Sequence, residues 1–103
     1  MRLRVLAQVD QDLIEASRWY DKQQAGLGDD FLDEYAEWLT TVGQYPKRFT
    51  RLETLKRTDR EIRRCRLRRF PYLIIFEVLS EELMVIAVVH VRRRPTFWLN
   101  RGP

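Results

Sequence analysis

Residues 69–101 read Arg69-Phe70-Pro71-Tyr72-Leu73-Ile74-Ile75-Phe76-Glu77-Val78-Leu79-Ser80-Glu81-Glu82-Leu83-Met84-Val85-Ile86-Ala87-Val88-Val89-His90-Val91-Arg92-Arg93-Arg94-Pro95-Thr96-Phe97-Trp98-Leu99-Asn100-Arg101, and this stretch decides the fold. Two apolar runs, Tyr72–Val78 and Leu83–Val91, flank the polar turn Ser80-Glu81-Glu82. Runs that apolar suit strands covered on much of both faces, so they form the middle of an antiparallel sheet. The hairpin delivers a dense basic and aromatic cluster, His90 to Arg101, to one edge of the domain.

Upstream, Ile62–Arg68 alternates. Arg63, Cys65 and Leu67 share one face, and Ile62, Arg64, Arg66 and Arg68 share the other. Like charges stacked along one face repel, so the three arginines imply an acidic or anionic partner. Lys47 to Glu61 has no clean period and reads as a mobile loop with at most one short helical turn, loosely anchored by Phe49, Leu52 and Leu55. Before it come two helices. Asp10 caps the first, whose stripe is Val9, Leu13, Ala16 and Tyr20, with Trp19 beside the stripe. Gly26-Leu27-Gly28 breaks the chain near Gln24. Asp29 or Asp30 caps the second, whose stripe is Phe31, Tyr35, Trp38, Leu39 and Val42, and Pro46 ends it. At helical spacing this aromatic stripe is core packing before it is a ligand box. Arg2–Ala7 alternates as a half-buried strand. The order is β-α-α-β-β-β: an α+β two-layer domain over residues 1–103, with an N-terminal strand, a helical hairpin on one sheet face, and an antiparallel three-stranded meander.

Composition agrees with one folded domain. The chain is 45% apolar and 33% charged with four Gly and four Pro, which excludes a disordered tail. No apolar run reaches membrane-spanning length, and the N-terminus lacks the pattern of a signal peptide. The single Cys65 can form no internal disulfide or cysteine metal site, and a buried thiol fits the reducing cytoplasm. The net charge of +4 conceals a split. Residues 10–46 carry nine acidic and two basic side chains, whereas residues 47–103 carry fifteen basic and six acidic ones. Such polarity either presents a basic region to a polyanion or an acidic protein, or reflects two ordinary solvated faces.

The chemistry is narrow. There is no Gly-rich phosphate loop, no Cys/His metal spacing and no nucleophile with its base, so neither metal nor cofactor is expected. His90, the sole histidine, stands near Arg92, Arg93 and Arg94. A neutral imidazole there is a candidate general base for a ribose 2′-hydroxyl, with a strand-end histidine bonded to the backbone as the structural alternative. Arginine forks fit phosphates and carboxylates alike, and aromatic rings stack on bases. Arg64, Arg66, Arg93, Arg94, Trp98 and Arg101 are therefore candidate target- or phosphate-binding residues, although Trp98 can instead fold back onto the core. Any enzyme here would act by positioning and positive charge, as a metal-independent ribonuclease.

Several pieces in order carry a resemblance: Asp12-Leu13-Ile14-Glu15-Ala16 with Trp19-Tyr20, Gly26-Leu27-Gly28-x-x-Phe31, Tyr45-Pro46, Arg69-Phe70-Pro71-Tyr72, and Ala87-Val88-Val89-His90-Val91-Arg92-Arg93-Arg94-Pro95 with Trp98 and Arg101. Over nearly its whole length the chain resembles the RelE/ParE superfamily of toxins from type II toxin–antitoxin systems, in the plasmid stabilisation branch. The resemblance implies the same two-layer fold, growth inhibition, and a cognate antitoxin that masks the basic face in a hetero-oligomer. It also implies one of two targets. RelE-like members cleave messenger RNA on the ribosome, which would make His90 and Arg92 catalytic. ParE-like members poison DNA gyrase and are not nucleases. The position after Tyr72, often arginine in the superfamily, is Leu73, and Trp98 stands where some nucleases carry a tyrosine, so the balance leans towards gyrase. A non-toxic member that only binds an acidic partner or RNA is the remaining alternative.

Overall fold

The computed structural model describes residues 1–52, 59–93 and 97–101, apart from the Phe97 side chain. The chain runs through β1 (Arg2–Val5), α1 (Gln8–Gln23), α2 (Leu27–Gln44), a 3-10 turn (Pro46–Arg48), β2 (Thr50–Arg51), β3 (Glu61–Arg66), β4 (Tyr72–Val78), β5 (Glu82–His90) and a second 3-10 turn (Phe97–Asn100). The strands form one sheet in the order β1-β5-β4-β3-β2. The meander β3-β4-β5 is antiparallel, and β1 joins the far side of β5 in parallel. The fold is thus the expected α+β arrangement, with one strand more than the sequence pattern announces. β2 lies in the stretch read as a loop, because two residues are too few to show alternation; it pairs Thr50 with Arg64 and Arg51 with Arg63. Leu55, Lys56 and Arg57 of that stretch lie outside the described residues.

One part of the core forms between the helical hairpin and one sheet face, and Ile62, Ile75 and Ala87 are buried on the other face. Residues opposite one another in an antiparallel pair project to the same side. Cys65, Ile74 and Val88 therefore share a face, as do Tyr72 and His90. The helices cover this face through an aromatic cluster. Tyr20 meets Phe31 at 5.6 Å and Phe70 at 4.8 Å between ring centroids, and Phe31 meets Tyr72 at 5.1 Å. Each buried aromatic contributes about 1.5–3 kcal/mol by leaving water, with edge-on geometry adding to that.

Both helices start earlier than the capping residues suggest. α1 leaves β1 directly, with Ala7 at the cap position, and Asp10 sits in the first turn. α2 starts from Gly26, whose φ of 88° suits a residue without a Cβ, and Asp29 and Asp30 fall in its first turn. The acids still oppose the positive end of the helix dipole. An orphan amide of α2 is met from the other helix, since Gly28 N–H donates to Asp21 Oδ1 at 2.8 Å. A Cβ at Gly28 would collide with the Ser17 carbonyl and lie 2.7 Å from Asp21 Oδ1, so glycine sets how closely the helices approach.

A side-chain pair completes one sheet edge. β1 ends at Val5, and Leu6 N–H makes the last backbone bond, to Val85 O at 3.0 Å. The register slips between Ile75 and Phe76, so that Ile75 opposes Ala87 and Phe76 opposes Val85; Ile86 is the extra residue of a bulge. Arg101 Nη1 donates to Ile86 O at 3.1 Å, and Val88 N–H donates to Asp12 Oδ2 at 3.0 Å. Asp12 and Arg101 pair with each other at 2.7 Å and 3.0 Å. Two side chains thus take the place of a strand where β1 runs out.

Candidate functional site

The sheet face away from the helices carries Arg64 and Arg66, which oppose Ile75 and Leu73 and are exposed. Leu73, Ile75 and Val89 form an apolar floor, and Trp98 closes one end. The resulting groove has a volume of about 440 Å³. Beside it a second groove of about 340 Å³, with Trp38, Arg48 and Arg66 among its walls, extends the surface towards β2. Arginine heads over aliphatic side chains suit a partner that brings carboxylates and apolar groups together. Trp98 is 0% exposed and packs as core, and its Nε1–H has no acceptor among the described residues. A buried unmet indole N–H costs roughly 1–3 kcal/mol.

The expected row of three arginines is shorter in three dimensions. β3 stops at Arg66, and Arg68 lies in the turn that follows. That turn is gathered by the buried carboxylate of Glu34 on α2, which accepts from the amides of Arg68 and Arg69 and from Trp38 Nε1. Arg68 and Arg69 line a cleft with Asp30, Asp33 and Glu37, and Arg69 pairs with Asp30 at 3.5 Å. The acidic and basic halves of the sequence thus meet at this cleft and at Asp12–Arg101. Exposed positive charge persists at Arg64, Arg66, Arg92 and Arg93.

His90 closes β5 on the helix-side face. Its ring stands edge-on to Tyr72 at 5.3 Å, its Nδ1 accepts from Arg92 N–H at 3.1 Å, and its carbonyl accepts from Arg93 N–H at 3.0 Å. The imidazole therefore shapes the turn that presents Arg92 and Arg93. Arg64 and Arg66 project from the opposite side of the sheet. The structure brings His90, Arg92 and Arg93 together at the strand end, groups Arg64, Arg66 and Trp98 on the helix-free face, and commits Arg101 to Asp12. Arg93 lines grooves on both sides. Arg94 lies outside the described residues.

A third groove, of about 580 Å³, runs between α1 and the ends of β4 and β5. Glu15, Trp19, Tyr72, His90 and Arg93 stand around it. Sequence reasoning passed over Glu15 and read Trp19 as a possible extension of the apolar stripe, yet Trp19 is 55% exposed. Trp19 stands three residues after Ala16 at the flank of the stripe, and Trp19-Tyr20 is among the pieces that carry the family resemblance. Burial pushes the Tyr72 hydroxyl up from the ordinary phenol value; Arg93 opposes that rise and Glu15 reinforces it. The phenol thus feels both charges. Among the described residues no group of His, Cys, Asp and Glu is arranged to hold a metal ion, and no helix is long and apolar enough to cross a membrane.

The model of the family described as ParE toxin of type II toxin-antitoxin system, parDE, matches residues 3–95. No curated protein sequence matches the chain. One of the matching solved structures is the "Chromosomal ParDE TA system from P. aeruginosa", with a TM-score of 0.75 at 16% identity, covering 87% of this chain and 95% of that one. At that identity the likeness speaks for the fold.

Proposed function

We propose that this chain, which belongs to the ParE toxin family of type II toxin–antitoxin systems, arrests growth in the cytoplasm by acting on DNA gyrase rather than by cutting RNA. The observation that carries this choice is the separation of the two halves of the nuclease constellation. His90 lies on the helix side of the sheet, and Arg64 and Arg66 lie on the other. A base must sit within hydrogen-bond reach of the hydroxyl it activates while the phosphate is held beside it. Trp98 is buried and carries no phenol that could protonate a leaving group. The helix-free groove combines arginine with an aliphatic floor, which favours a protein surface over a bare phosphate chain. The cognate antitoxin occupies that face in the neutralised hetero-oligomer, with acidic side chains against Arg64 and Arg66.

The test is direct. Purified protein added to gyrase and relaxed plasmid is expected to block supercoiling and to accumulate cleaved DNA, and a charge-reversed Arg64→Glu/Arg66→Glu variant should lose the effect with its fold intact. Unchanged gyrase activity together with mRNA cleavage in a translation extract would overturn the proposal. The ribonuclease reading keeps one specific support, the contact that holds His90 and Arg92 side by side. Cleavage abolished by His90→Ala and Arg92→Ala would establish that reading.

A further inference from the structure

Two rows of like charge flank Trp38. The first is on α2, where Asp30, Asp33, Glu34 and Glu37 line a cleft of about 350 Å³ together with Trp38, Arg68 and Arg69. Glu34 is spent on the amides of the turn after β3, and Asp30 on Arg69. Asp33 and Glu37 remain, both exposed and neither in an ion pair among the described residues. Carboxylates at i and i+4 of a helix repel one another. The second row is Arg64 and Arg66 on β3, which share a groove of about 340 Å³ with Trp38 and Arg48. They too are exposed, lie on one strand face, and make no ion pair among the described residues. Trp38 lines both grooves, its ring 6.4 Å from that of Phe49 and its Nε1–H on Glu34. Within one chain the two rows adjoin across this ring without pairing.

We propose that this surface is a two-fold interface between two copies of the chain, in which the Asp33–Glu37 row of each copy lies against the Arg64–Arg66 row of the other, with both Trp38 rings near the axis. A two-fold contact brings residue i of one copy to residue j of the other and j to i. A surface with acid on one side of an aromatic centre and base on the other is therefore complementary to itself. The spacings agree, since side chains one helical turn apart are about 6 Å from each other, and alternate residues of a strand are about 7 Å apart. A nucleic acid would answer the arginines and be repelled by the carboxylates beside them. A second copy answers both rows. Arg68, at the rim of the acidic cleft, reduces the acidic excess, so the dimer belongs to the weak and transient class. Arg64 and Arg66 also serve the proposed contact with gyrase, and the dimer thus holds the toxin in an idle form; that consequence rests on the gyrase reading, whereas the interface does not.

Sedimentation equilibrium of the full chain from about 1 to about 200 µM tests this. The mass is expected to rise with concentration from 12.5 kDa towards twice that value. Asp33→Arg/Glu37→Arg makes both rows positive, and Arg64→Glu/Arg66→Glu makes both negative, so each variant alone should dimerise at least tenfold more weakly. Mixed in equal amounts, the two variants should form a one-to-one heterodimer, because every reversed charge then meets its opposite. All four positions are exposed, so the variants fold, which circular dichroism verifies. Arg18→Glu/Lys22→Glu changes the net charge as much as the second variant does, but on exposed positions of α1, and should dimerise as the parent does. A parent that stays monomeric throughout, a dimer indifferent to either reversal, failure of the two variants to combine, or equal loss in the α1 control would each overturn the proposal. Gyrase inhibition is scored separately, so failure here leaves the toxin reading untouched.

Discussion

Replacing Asp12 with alanine removes the acceptor on which the C-terminal segment and the end of β5 both depend. In the fold, Asp12 Oδ2 accepts from Val88 N–H and from Arg101 Nη1, while Oδ1 accepts from Arg101 Nη2. The Arg101 and Asp12 side chains retain 18% and 11% of their exposure, so the pair is shielded but not sealed. Breaking a fully buried pair costs about 3–5 kcal/mol, and an exposed pair contributes about 1 kcal/mol or less. Here the loss should fall nearer the buried end, at about 2–3 kcal/mol, because Val88 N–H is orphaned as well. Against a typical stability of about 5–15 kcal/mol that is a large fraction. Urea unfolding followed by tryptophan fluorescence, in which buried Trp98 reports the C-terminal turn, should show a midpoint lower by roughly 1–2 M. Arg101→Ala should cost a similar amount. The double variant should cost less than the sum of the two, since each single change already breaks the same pair. Arg101→Lys keeps the charge but loses the two-pronged contact, and should fall between. An Asp12→Ala protein within about 0.5 kcal/mol of the parent would refute the reasoning. The same set decides the role of Arg101. If Arg101→Ala abolishes toxicity while an equally destabilised Asp12→Ala stays toxic, then Arg101 touches the target directly.

Four further outcomes are expected. Glu34→Gln leaves one carbonyl oxygen for three donors and places an amide N–H₂ among backbone amides, so stability should drop by about 1–3 kcal/mol, seen as a melting temperature lower by roughly 4–8 °C per kcal/mol. Gly28→Ala should destabilise by about 1–3 kcal/mol through its collision with the Ser17 carbonyl, whereas Gly43→Ala, with nothing within 4 Å of the new methyl, should be neutral or stabilising by up to about 1 kcal/mol; paired thermal melts check both. Burial, reinforced by Glu34, pushes the Cys65 thiol from 9.0 to about 12, so a thiol reagent at neutral pH should react only after denaturation. Burial, reinforced by Asp10, likewise pushes the Tyr35 hydroxyl from 10.0 to about 12. Between the unfolded and folded values the unfolded chain has already released its protons, so stability should fall as pH rises from about 9 towards 12; a urea midpoint that stays constant over that range would contradict it.

The period and runs of apolar residues were enough to place both helices and the three long strands, because the pattern records which stripe or faces each buries. Alternation placed β1 too, but not as the half-buried strand expected: all four of its residues are exposed, because it lies at the sheet edge beside β5. Asp10, and Asp29 or Asp30, suit the cap positions by residue type, but all three lie in the first turns. Aspartate suits both places, and only the Gly26 conformation and the direct exit from β1 decide between them. β2 was invisible because two residues cannot alternate. Of the candidate site, the basic cluster and the shared face of Arg64 and Arg66 were legible. Its division between two faces was not.

The sequence by itself determined the layer order and the placement of arginines and aromatics on strands and helices, since these depend on local periodicity and on the sign of charge. It could not determine which charges find one another. Asp12 and Arg101 are 89 positions apart and Glu34 and Arg68 are 34 apart, and no local pattern records such meetings. The Asp12–Arg101 contact depends on where β1 ends and on the bulge at Ile86, and the Glu34 contact on how α2 sits against the turn between β3 and β4; all of these are set by how whole elements pack. Tertiary structure alone therefore divides what is one basic cluster in the sequence into a neutralised edge, an arginine-lined apolar groove, and a separate groove beside Trp19.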